Sequence, residues 1–226
     1  MVIRKYSTML ERNIFKRIFG GKRSIFLDYA AGNPVDNRVL DVVCNSMRTL
    51  YGNPGSVHST GKEAKDVLEQ SRETIAHALG AHSDEIIFTA IGTESNNLAI
   101  LGTVYFLEEK GAEVKDMHFI TSKIEHPSVL DTFKRLEARG ARVTHLPVDS
   151  DGLVDPNELK KVLDIRTILV SIMQVNNETG TIEPIKKLGK VIRDFKKDRT
   201  EGHNYPYFHT DACQGASFIK NDVTKL

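Results

Sequence analysis

From Ile25 onward, the hydrophobic positions along the chain follow two alternating spacings. Short runs rich in β-branched and aromatic residues are EIIFTA, MHFITS, RVTHLP, TILVSIM and YFHTDA. Between them lie segments such as SVLDTFKRLEARG and PIKKLGKVIRDFKK, in which apolar residues recur every three or four positions. The first spacing predicts buried strands and the second predicts amphipathic helices. EIIFTA is therefore predicted to be a strand like the other four runs.

Three more helices are predicted around EIIFTA. Apolar residues recur at helical spacing over residues 35–50 and 64–79, and TESNNLAILGTVYFLEEKG starts with a polar turn and ends at Gly111. Strands that alternate with helices imply right-handed crossovers between parallel strands, with helices on both faces of the sheet. The sequence therefore predicts an α/β fold, a three-layer αβα sandwich around a mostly parallel sheet.

The first 24 residues differ in composition from the rest of the chain. Seven lysines and arginines face the single acid Glu11 there, and no apolar stretch is long enough for a secretory signal or a membrane span. We interpret residues 1–24 as a basic N-terminal extension and residues 25–226 as one domain. The alternative is an organellar transit peptide, because such peptides are also basic and amphipathic.

Composition and charge narrow the classes of function. The chain has 226 residues, 40% of them hydrophobic, and a net charge of +1, so neither nucleic acid nor a membrane is an expected partner. Two cysteines are too few for a disulfide framework, which favours the reducing cytoplasm. His77 and His82 have a zinc-like spacing without partnering cysteines, so no metal is assigned.

Polar residues follow the predicted strands, where the loops of a parallel sheet converge on ligands. In TAIGTESNN, Gly92 and Thr93 begin a helix whose free N–H groups suit a phosphate, although Thr93 would serve equally as a plain N-cap. In SKIEHPS, His126 precedes a proline in an extended segment. Its imidazole could stack on a planar ring or relay a proton, or it could be an ordinary surface residue.

Two further loops add amides and a carboxylate. Asn176 and Asn177 follow TILVSIM, where they suit either a ligand or a turn. In FHTDACQG, a buried Asp211 facing a pyridine nitrogen would keep that nitrogen protonated, and Gln214 could reach a ring hydroxyl. Together, the four loops offer the groups that a phosphorylated pyridine requires. They predict a site for pyridoxal 5′-phosphate, a cofactor that acts as an electron sink.

Six strings along the chain resemble the cysteine desulfurases, in the class V aminotransferase group of pyridoxal-phosphate enzymes. They are LDYAAGNPVD, GNPGSVHSTG, FTAIGTESNNLAI, TSKIEHPSVLDT, ILVSIMQVNNETG and HTDACQG, from about Phe26 to Leu226. The resemblance implies the large domain of a fold-type I pyridoxal-phosphate transferase. It also implies conversion of L-cysteine to L-alanine with transfer of sulfur as a persulfide to an acceptor protein, for iron–sulfur cluster or thio-cofactor synthesis, in a homodimer.

The resemblance also implies roles for individual residues. Gly92 and Thr93 would bind the cofactor phosphate. His126 would stack on the ring and take part in acid–base steps as the catalytic residue, and Asn177 would contact the ring on its hydroxyl side near the substrate.

At the pyridine ring, the resemblance implies that Asp211 pairs with the ring nitrogen and Gln214 with the ring hydroxyl. The family's cofactor-binding lysine is expected shortly past Leu226, and so is the loop cysteine that receives the sulfur. Neither cysteine of the chain replaces it, because Cys44 is expected to be buried in an apolar helix and Cys213 lies within the ring-binding string.

We therefore interpret the chain as a pyridoxal-phosphate-binding large domain that is incomplete at its C-terminal end. Two alternatives remain open. The chain could be a non-catalytic remnant that binds the cofactor or a partner, since a sheet cut here would expose an edge strand and apolar surface. Alternatively, it could belong to another class V enzyme, such as a selenocysteine lyase.

Overall fold

The structure is a computed structural model and describes residues 25–197 and 205–225. The chain divides into two units, Met1–Asn37 and Arg38–Leu226. In the first unit, residues 25–37 contain a turn at residues 29–31, and the rings of Phe26 and Tyr29 meet edge to face with 5.2 Å between centroids. The basic extension at residues 1–24 lies outside the described residues, so the predicted boundary after residue 24 stays a prediction.

The described elements follow the predicted alternation of helices and strands from α3 onward. The α-helices are α1 (Asn37–Thr49), α2 (Ser59–Leu79), α3 (Gly92–Glu109), α4 (Pro127–Ala138), α5 (Pro156–Val162) and α6 (Ile185–Lys197). The strands are β1 (His118–Ser122), β2 (Arg142–Leu146), β3 (Thr167–Ser171) and β4 (Tyr207–His209). Short 3₁₀ turns cover Ser83–Glu85, Val114–Asp116 and Val223–Lys225.

The four strands form one sheet in the order β2-β1-β3-β4, and each neighbouring pair is parallel. The central strand β1 fixes the register, since Phe119 lies beside Leu169 and Ile120 beside Val170. The predicted parallel sheet is confirmed.

Two apolar clusters cover the two faces of this sheet. Because successive strand residues point to opposite faces, Phe119 packs with Val104 of α3 and Phe133 of α4, whereas Ile120 packs with Leu159 of α5 and Leu188 of α6. Each of these side chains is fully buried. Helices α3 and α4 therefore cover one face and α5 and α6 the other, which confirms the predicted three-layer arrangement.

The prediction that EIIFTA forms a buried strand was wrong. The segment after the first 3₁₀ turn is extended but pairs with no described strand, and Ile87 and Phe88 are 69% and 44% exposed. Its described hydrogen bonds are local or to side chains, such as the one from the Arg72 guanidinium to the Ile86 carbonyl. The apolar residues of the segment are typical of a strand, but a β-strand also needs backbone hydrogen bonds to a neighbouring strand.

The expected burial of Cys44 was also wrong. Helix α1 has the predicted apolar positions, yet it contains no buried residue, and Cys44 is only half-buried. Val39 and Met47 are 53% and 79% exposed. The apolar stripe of α1 thus lacks a covering element among the described residues, so its spacing predicted the helix correctly and the burial incorrectly.

The strand order places a crevice between β1 and β3. The chain leaves β1 toward β2 on one side and later returns to β3 on the other, so the loops that follow β1 and β3 separate toward opposite faces. Parallel sheets bind ligands at such a reversal point, beyond the carboxyl ends of the strands. None of the described helices is both long enough and apolar enough to cross a membrane.

Candidate functional site

A cavity of about 220 Å³ lies at this reversal point. The start of α3 and the loops after β1, β3 and β4 form its walls. All six predicted site residues line it, namely Gly92, Thr93, His126, Asn177, Asp211 and Gln214. The structure thus brings together residues that lie as far apart as 92 and 214 in the sequence.

The start of α3 forms one wall with its backbone. Ile91 is the N-cap residue, with an extended backbone and no side-chain hydrogen bond to the helix, so Gly92 and Thr93 are the first two helical residues. Thr93 as N-cap was therefore the wrong alternative. The Glu94 carboxylate accepts from the Ala90 N–H at 2.7 Å and fixes the turn into the helix. Free N–H groups and the helix dipole make such a start attractive to an anion.

Gly92 also allows a close approach between two walls of the cavity. A Cβ atom at this position would lie 2.9 Å from Cys213 Sγ. Cys213 is exposed at the cavity wall, yet the partial burial of its thiol raises its pKa to about 11, with a further contribution from the neighbouring Asp211, so the neutral thiol is favoured. A thiol in this state is a weak nucleophile at neutral pH.

Asp211 brings a negative charge to the floor of the cavity. One carboxylate oxygen accepts from the Asn96 side-chain amide at 2.8 Å and the other accepts from the Cys213 N–H at 3.0 Å. Burial alone would raise the pKa of this carboxyl, but these hydrogen bonds, the Cys213 side chain and His209 together lower it below its usual value. Asp211 is therefore ionised at neutral pH and suits a cationic ring nitrogen.

A chain of hydrogen bonds links Asp211 to His126. The Asn96 amide nitrogen also donates to Ser128 Oγ at 2.9 Å, and Ser128 Oγ lies 2.8 Å from His126 Nδ1. His126 caps α4, because its Nδ1 accepts from the Ser128 N–H at 3.1 Å. Since Nδ1 is an acceptor, Nε2 carries the proton of the neutral ring.

The sequence left open whether Asn176 and Asn177, after β3, bind a ligand or form a turn, and the structure gives the two residues different positions. Asn176 is buried and builds the turn, because its oxygen accepts from the N–H groups of Glu178 and Thr179, both at 2.9 Å. Its amide donates to the Ile124 carbonyl at 3.0 Å. Asn177 lines the cavity. The loop thus has one structural asparagine and one that faces the site.

Sequence reasoning missed Asn96 and Ser128. Asn96 had a detectable signal, because it begins the buried stripe of α3 that continues with Ile100 and Val104 at intervals of four residues. A buried amide in an apolar stripe requires hydrogen-bond partners and so points to a polar network. Ser128 had no such signal, because its role depends on residues from other elements.

The donor set of the cavity fits pyridoxal phosphate. A helix start suits the phosphate, the ionised Asp211 suits the ring nitrogen, and Gln214 and His126 lie on the same cavity. Within residues 25–197 and 205–225, no cluster of three or more histidine, cysteine or acidic side chains is arranged to hold a metal ion.

Comparison with known proteins finds cysteine desulfurases. The IscS cysteine desulfurase of Dictyoglomus turgidum is 46% identical over 205 residues, which are 91% of this chain and 48% of that protein. The mitosomal cysteine desulfurase of Trachipleistophora hominis is 43% identical over 203 residues, or 89% of this chain and 43% of that protein. The solved structure of SspA in complex with cysteine superposes with a TM-score of 0.80 at 35% identity, covering 89% of this chain and 54% of that one.

The chain thus spans about half the length of the curated relatives it matches. The aligned region includes the strands, the covering helices and the four loops around the cavity, since the family model for class-V aminotransferases matches residues 25–226. The resemblance seen in the six strings is confirmed, and the chain belongs to the aminotransferase class-V family.

Proposed function

We propose that this chain is the cofactor-binding part of a pyridoxal-phosphate-dependent cysteine desulfurase. The observation that carries the proposal is the ionised Asp211, held by Asn96 in the same cavity as the start of α3 and His126. The relatives named cysteine desulfurase support the choice of reaction.

In this proposal each wall of the cavity meets one part of the cofactor. The N–H groups at Gly92 and Thr93 bind the phosphate, and Asp211 keeps the ring nitrogen protonated. Gln214 binds the ring hydroxyl, and Asn177 contacts the same side of the ring. A protonated pyridine ring withdraws electrons from the substrate α-carbon, which is the chemistry that the bound cofactor supplies.

His126 is the proposed acid–base residue. Its Nδ1 is occupied by the Ser128 N–H and hydroxyl, so Nε2 is the atom that can give or take a proton at the cavity. Because α4 starts at the next residue with Pro127 in its first turn, the imidazole is held at the end of a rigid element.

The proposed overall reaction is balanced with one acceptor thiol. The C–S bond of L-cysteine breaks, the side chain gains a hydrogen to become the methyl group of L-alanine, and the sulfur joins a protein thiol as a persulfide. Because the Cys213 thiol is held neutral, it is not proposed as that thiol. We propose that a sulfur-acceptor protein receives the sulfur for iron–sulfur cluster or thio-cofactor synthesis, and that the complete enzyme is a homodimer.

Cofactor binding can be tested on the chain as it is. Calorimetric titration of pyridoxal phosphate into the purified protein should show one site. Asp211→Asn should weaken binding about 10- to 100-fold, because a hydrogen bond to a charged group contributes about 1.5–3 kcal/mol. Asp131→Asn is the control, since Asp131 is an exposed acid of α4 that pairs with the exposed Lys134 and does not line the cavity. Equal affinity in Asp211→Asn and the wild type would contradict the proposed role.

The reaction itself is tested on the protein isolated from its source. Incubation with L-cysteine and a thiol reductant should give alanine and sulfide in equal amounts. A strong preference for L-selenocysteine would favour the selenocysteine lyase alternative. Absence of both products in a preparation that binds pyridoxal phosphate would favour the non-catalytic alternative.

We propose a cytoplasmic location, with an organelle matrix as the alternative. Cys44 and Cys213 are both free, which supports a reducing compartment, while a mitosomal relative supports the organellar alternative. Imaging of the protein tagged at its C-terminus should give a diffuse cytoplasmic signal, and an organellar signal that depends on residues 1–24 would favour the transit-peptide interpretation.

A groove beside the sheet supports a second candidate function, partner binding. It contains about 610 Å³ between residues 85–89, one side of α3 and Tyr207 of β4. Ile87, Leu98 and Phe106 line it and are each more than 40% exposed. Among the described strands, β4 pairs only with β3, so a strand from a second polypeptide could add to its other edge.

This candidate predicts self-association or pairing. Light scattering during gel filtration should show oligomers of the isolated chain that Ile87→Lys reduces, with Ile165→Lys, an exposed residue outside the groove, as the control. A stable monomer at high concentration would contradict it.

A further inference from the structure

Two of the loops around the cavity are tied to each other below its surface. The loop after β1 carries His126, and the loop after β3 carries Met173 and Asn177, and all three residues line the cavity. One tie is the hydrogen bond from the Asn176 amide to the Ile124 carbonyl at 3.0 Å. The other is made by Glu125, the residue immediately before His126.

Glu125 joins the loops through one carboxyl oxygen. Its Oε1 accepts from Ser122 Oγ at 2.7 Å, at the end of β1, and from the Met173 N–H at 2.9 Å, in the loop after β3. The side chain is only 4% exposed and does not line the cavity. Glu125 therefore contacts both loops without contacting whatever fills the cavity.

The second carboxyl oxygen of Glu125 is unusual. Oε2 is buried and has no hydrogen-bond partner among the described residues. Burial raises the pKa of Glu125 to about 7, against the lowering effect of the bonds from Ser122 and Met173, and the charges of Asp211 and Glu183 raise it further. The carboxyl therefore keeps its proton through most of the acidic pH range. When Oε2 carries that proton, Oε1 remains the acceptor for the Ser122 hydroxyl and the Met173 N–H.

We propose that Glu125 is a positioning residue, which fixes the spacing between the His126 loop and the Met173–Asn177 loop and thereby the width of the cavity. The role of the cavity as a pyridoxal phosphate site rests on the proposed function above, whereas the link between the loops does not. The property that matters is the carbonyl-like oxygen that accepts two hydrogen bonds, and the negative charge is not required.

Two substitutions separate these properties. Glu125→Gln keeps an oxygen in the same place and removes the ionisable proton, so it should preserve the link. Glu125→Ala removes the acceptor and leaves the Met173 N–H without its partner. Glu183→Ala is the matched control. Glu183 is also an acid that is 4% exposed and accepts from a backbone N–H, that of Val154. Its charge raises the pKa of Glu125, a property that the proposed link does not require, and it does not line the cavity.

The first measurement is amide hydrogen exchange on the ligand-free chain. Glu125→Ala should speed exchange of the Met173 amide at least tenfold relative to the core of β1, while Glu125→Gln stays near the wild-type rate. Glu183→Ala should leave Met173 unchanged. Wild-type protection of Met173 in Glu125→Ala would overturn the proposal.

The second measurement is calorimetric titration with pyridoxal phosphate. Glu125→Ala should bind at least tenfold more weakly than the wild type, and Glu125→Gln should bind within about twofold. Equal weakening in Glu125→Ala and Glu183→Ala would mean a general loss of stability and would overturn the proposal. If the wild type binds no pyridoxal phosphate, the proposed function fails, and the exchange rates alone decide the role of Glu125.

Discussion

The side-chain amide of Asn96 donates to the carboxylate of Asp211 across 2.8 Å, joining α3 to the loop after β4. The same nitrogen donates to Ser128 at the start of α4. A single buried amide thus orients the carboxylate and stabilises its charge. It also places that carboxylate in one network with the His126 ring, which lies on the same cavity.

Removal of this amide should weaken the site without unfolding the protein. In Asn96→Ala, Asp211 loses one of its hydrogen bonds while burial still opposes its charge, so the pKa of Asp211 should rise. We expect the affinity for pyridoxal phosphate to fall about tenfold, which is the effect of losing about 1.4 kcal/mol. Calorimetric titration measures the loss.

Asn157→Ala provides the control for this prediction, because Asn157 is exposed in the first turn of α5 and does not line the cavity. Asn96→Asp is a stronger test, since it adds a like charge beside Asp211 and should weaken binding more than alanine does. Unchanged affinity in both Asn96 variants would show that Asp211 needs no support from α3.

The layers of the fold could be predicted because they follow from local periodicity. Alternation in MHFITS places Phe119 and Ile120 on opposite faces, and the helical stripes supply the partners of each. Periodicity alone could not show that residues 86–90 lack a ladder or that the stripe of α1 is uncovered. Pairing of the segment and burial of the stripe both depend on which other elements pack against them, and a local sequence pattern contains no such information.

The candidate site was predictable where a residue type has its own chemistry. Asp211, His126 and the Gly92 turn belong to short strings that end or begin an element, and these line one cavity. Asn96 and Glu125 were missed because each is buried and bonds a residue that is distant in the sequence. Glu125 bonds Met173, 48 positions away, and Asn96 bonds Asp211, 115 positions away. Such pairs form only when the chain has folded.

The buried carboxyl of Glu125 should make stability depend on pH. Its pKa rises from 4.5 to about 7 on folding, so the folded protein holds a proton that the unfolded chain has lost. This stabilisation is complete below pH 4.5 and disappears as the pH rises to 7, at about 1.4 kcal/mol per pH unit. Urea unfolding of the wild type and Glu125→Gln should diverge by this slope over that range, and parallel curves would contradict the raised pKa.

His118 should produce a slope of the opposite sign. Its ring is buried between the hydroxyls of Thr167 and Thr144, at 2.9 and 2.8 Å. Burial lowers the pKa of His118 from 6.5 to about 4. The charge of Arg142 also lowers this pKa, and the charge of Asp164 opposes the shift. Between these pH values the unfolded chain binds a proton at His118 and the folded protein does not, so stability falls as the pH drops from 6.5 to 4.

Between pH 4.5 and 6.5, the effects of His118 and Glu125 nearly cancel, because each changes stability by about 1.4 kcal/mol per pH unit in opposite directions. Relative to the wild type, His118→Gln should therefore lose stability as the pH rises through this range, whereas Glu125→Gln should lose stability relative to the wild type as the pH falls. Unfolding midpoints at four pH values measure both slopes. Slopes of the same sign in the two variants would contradict this assignment.

The last prediction concerns the thiol at the cavity wall. Partial burial and the nearby Asp211 raise the pKa of Cys213 to about 11, although the residue is exposed, so its thiolate population at pH 8 should lie below that of an ordinary thiol. In Cys44→Ser, where Cys213 is the remaining cysteine of the sequence, iodoacetamide should alkylate the native protein at least about tenfold more slowly than the same variant in urea. The native rate should keep rising with pH well above 9. Fast labelling of the native protein at pH 8 would mean that Cys213 is a reactive thiolate, and it would then become a candidate for the sulfur-accepting thiol after all.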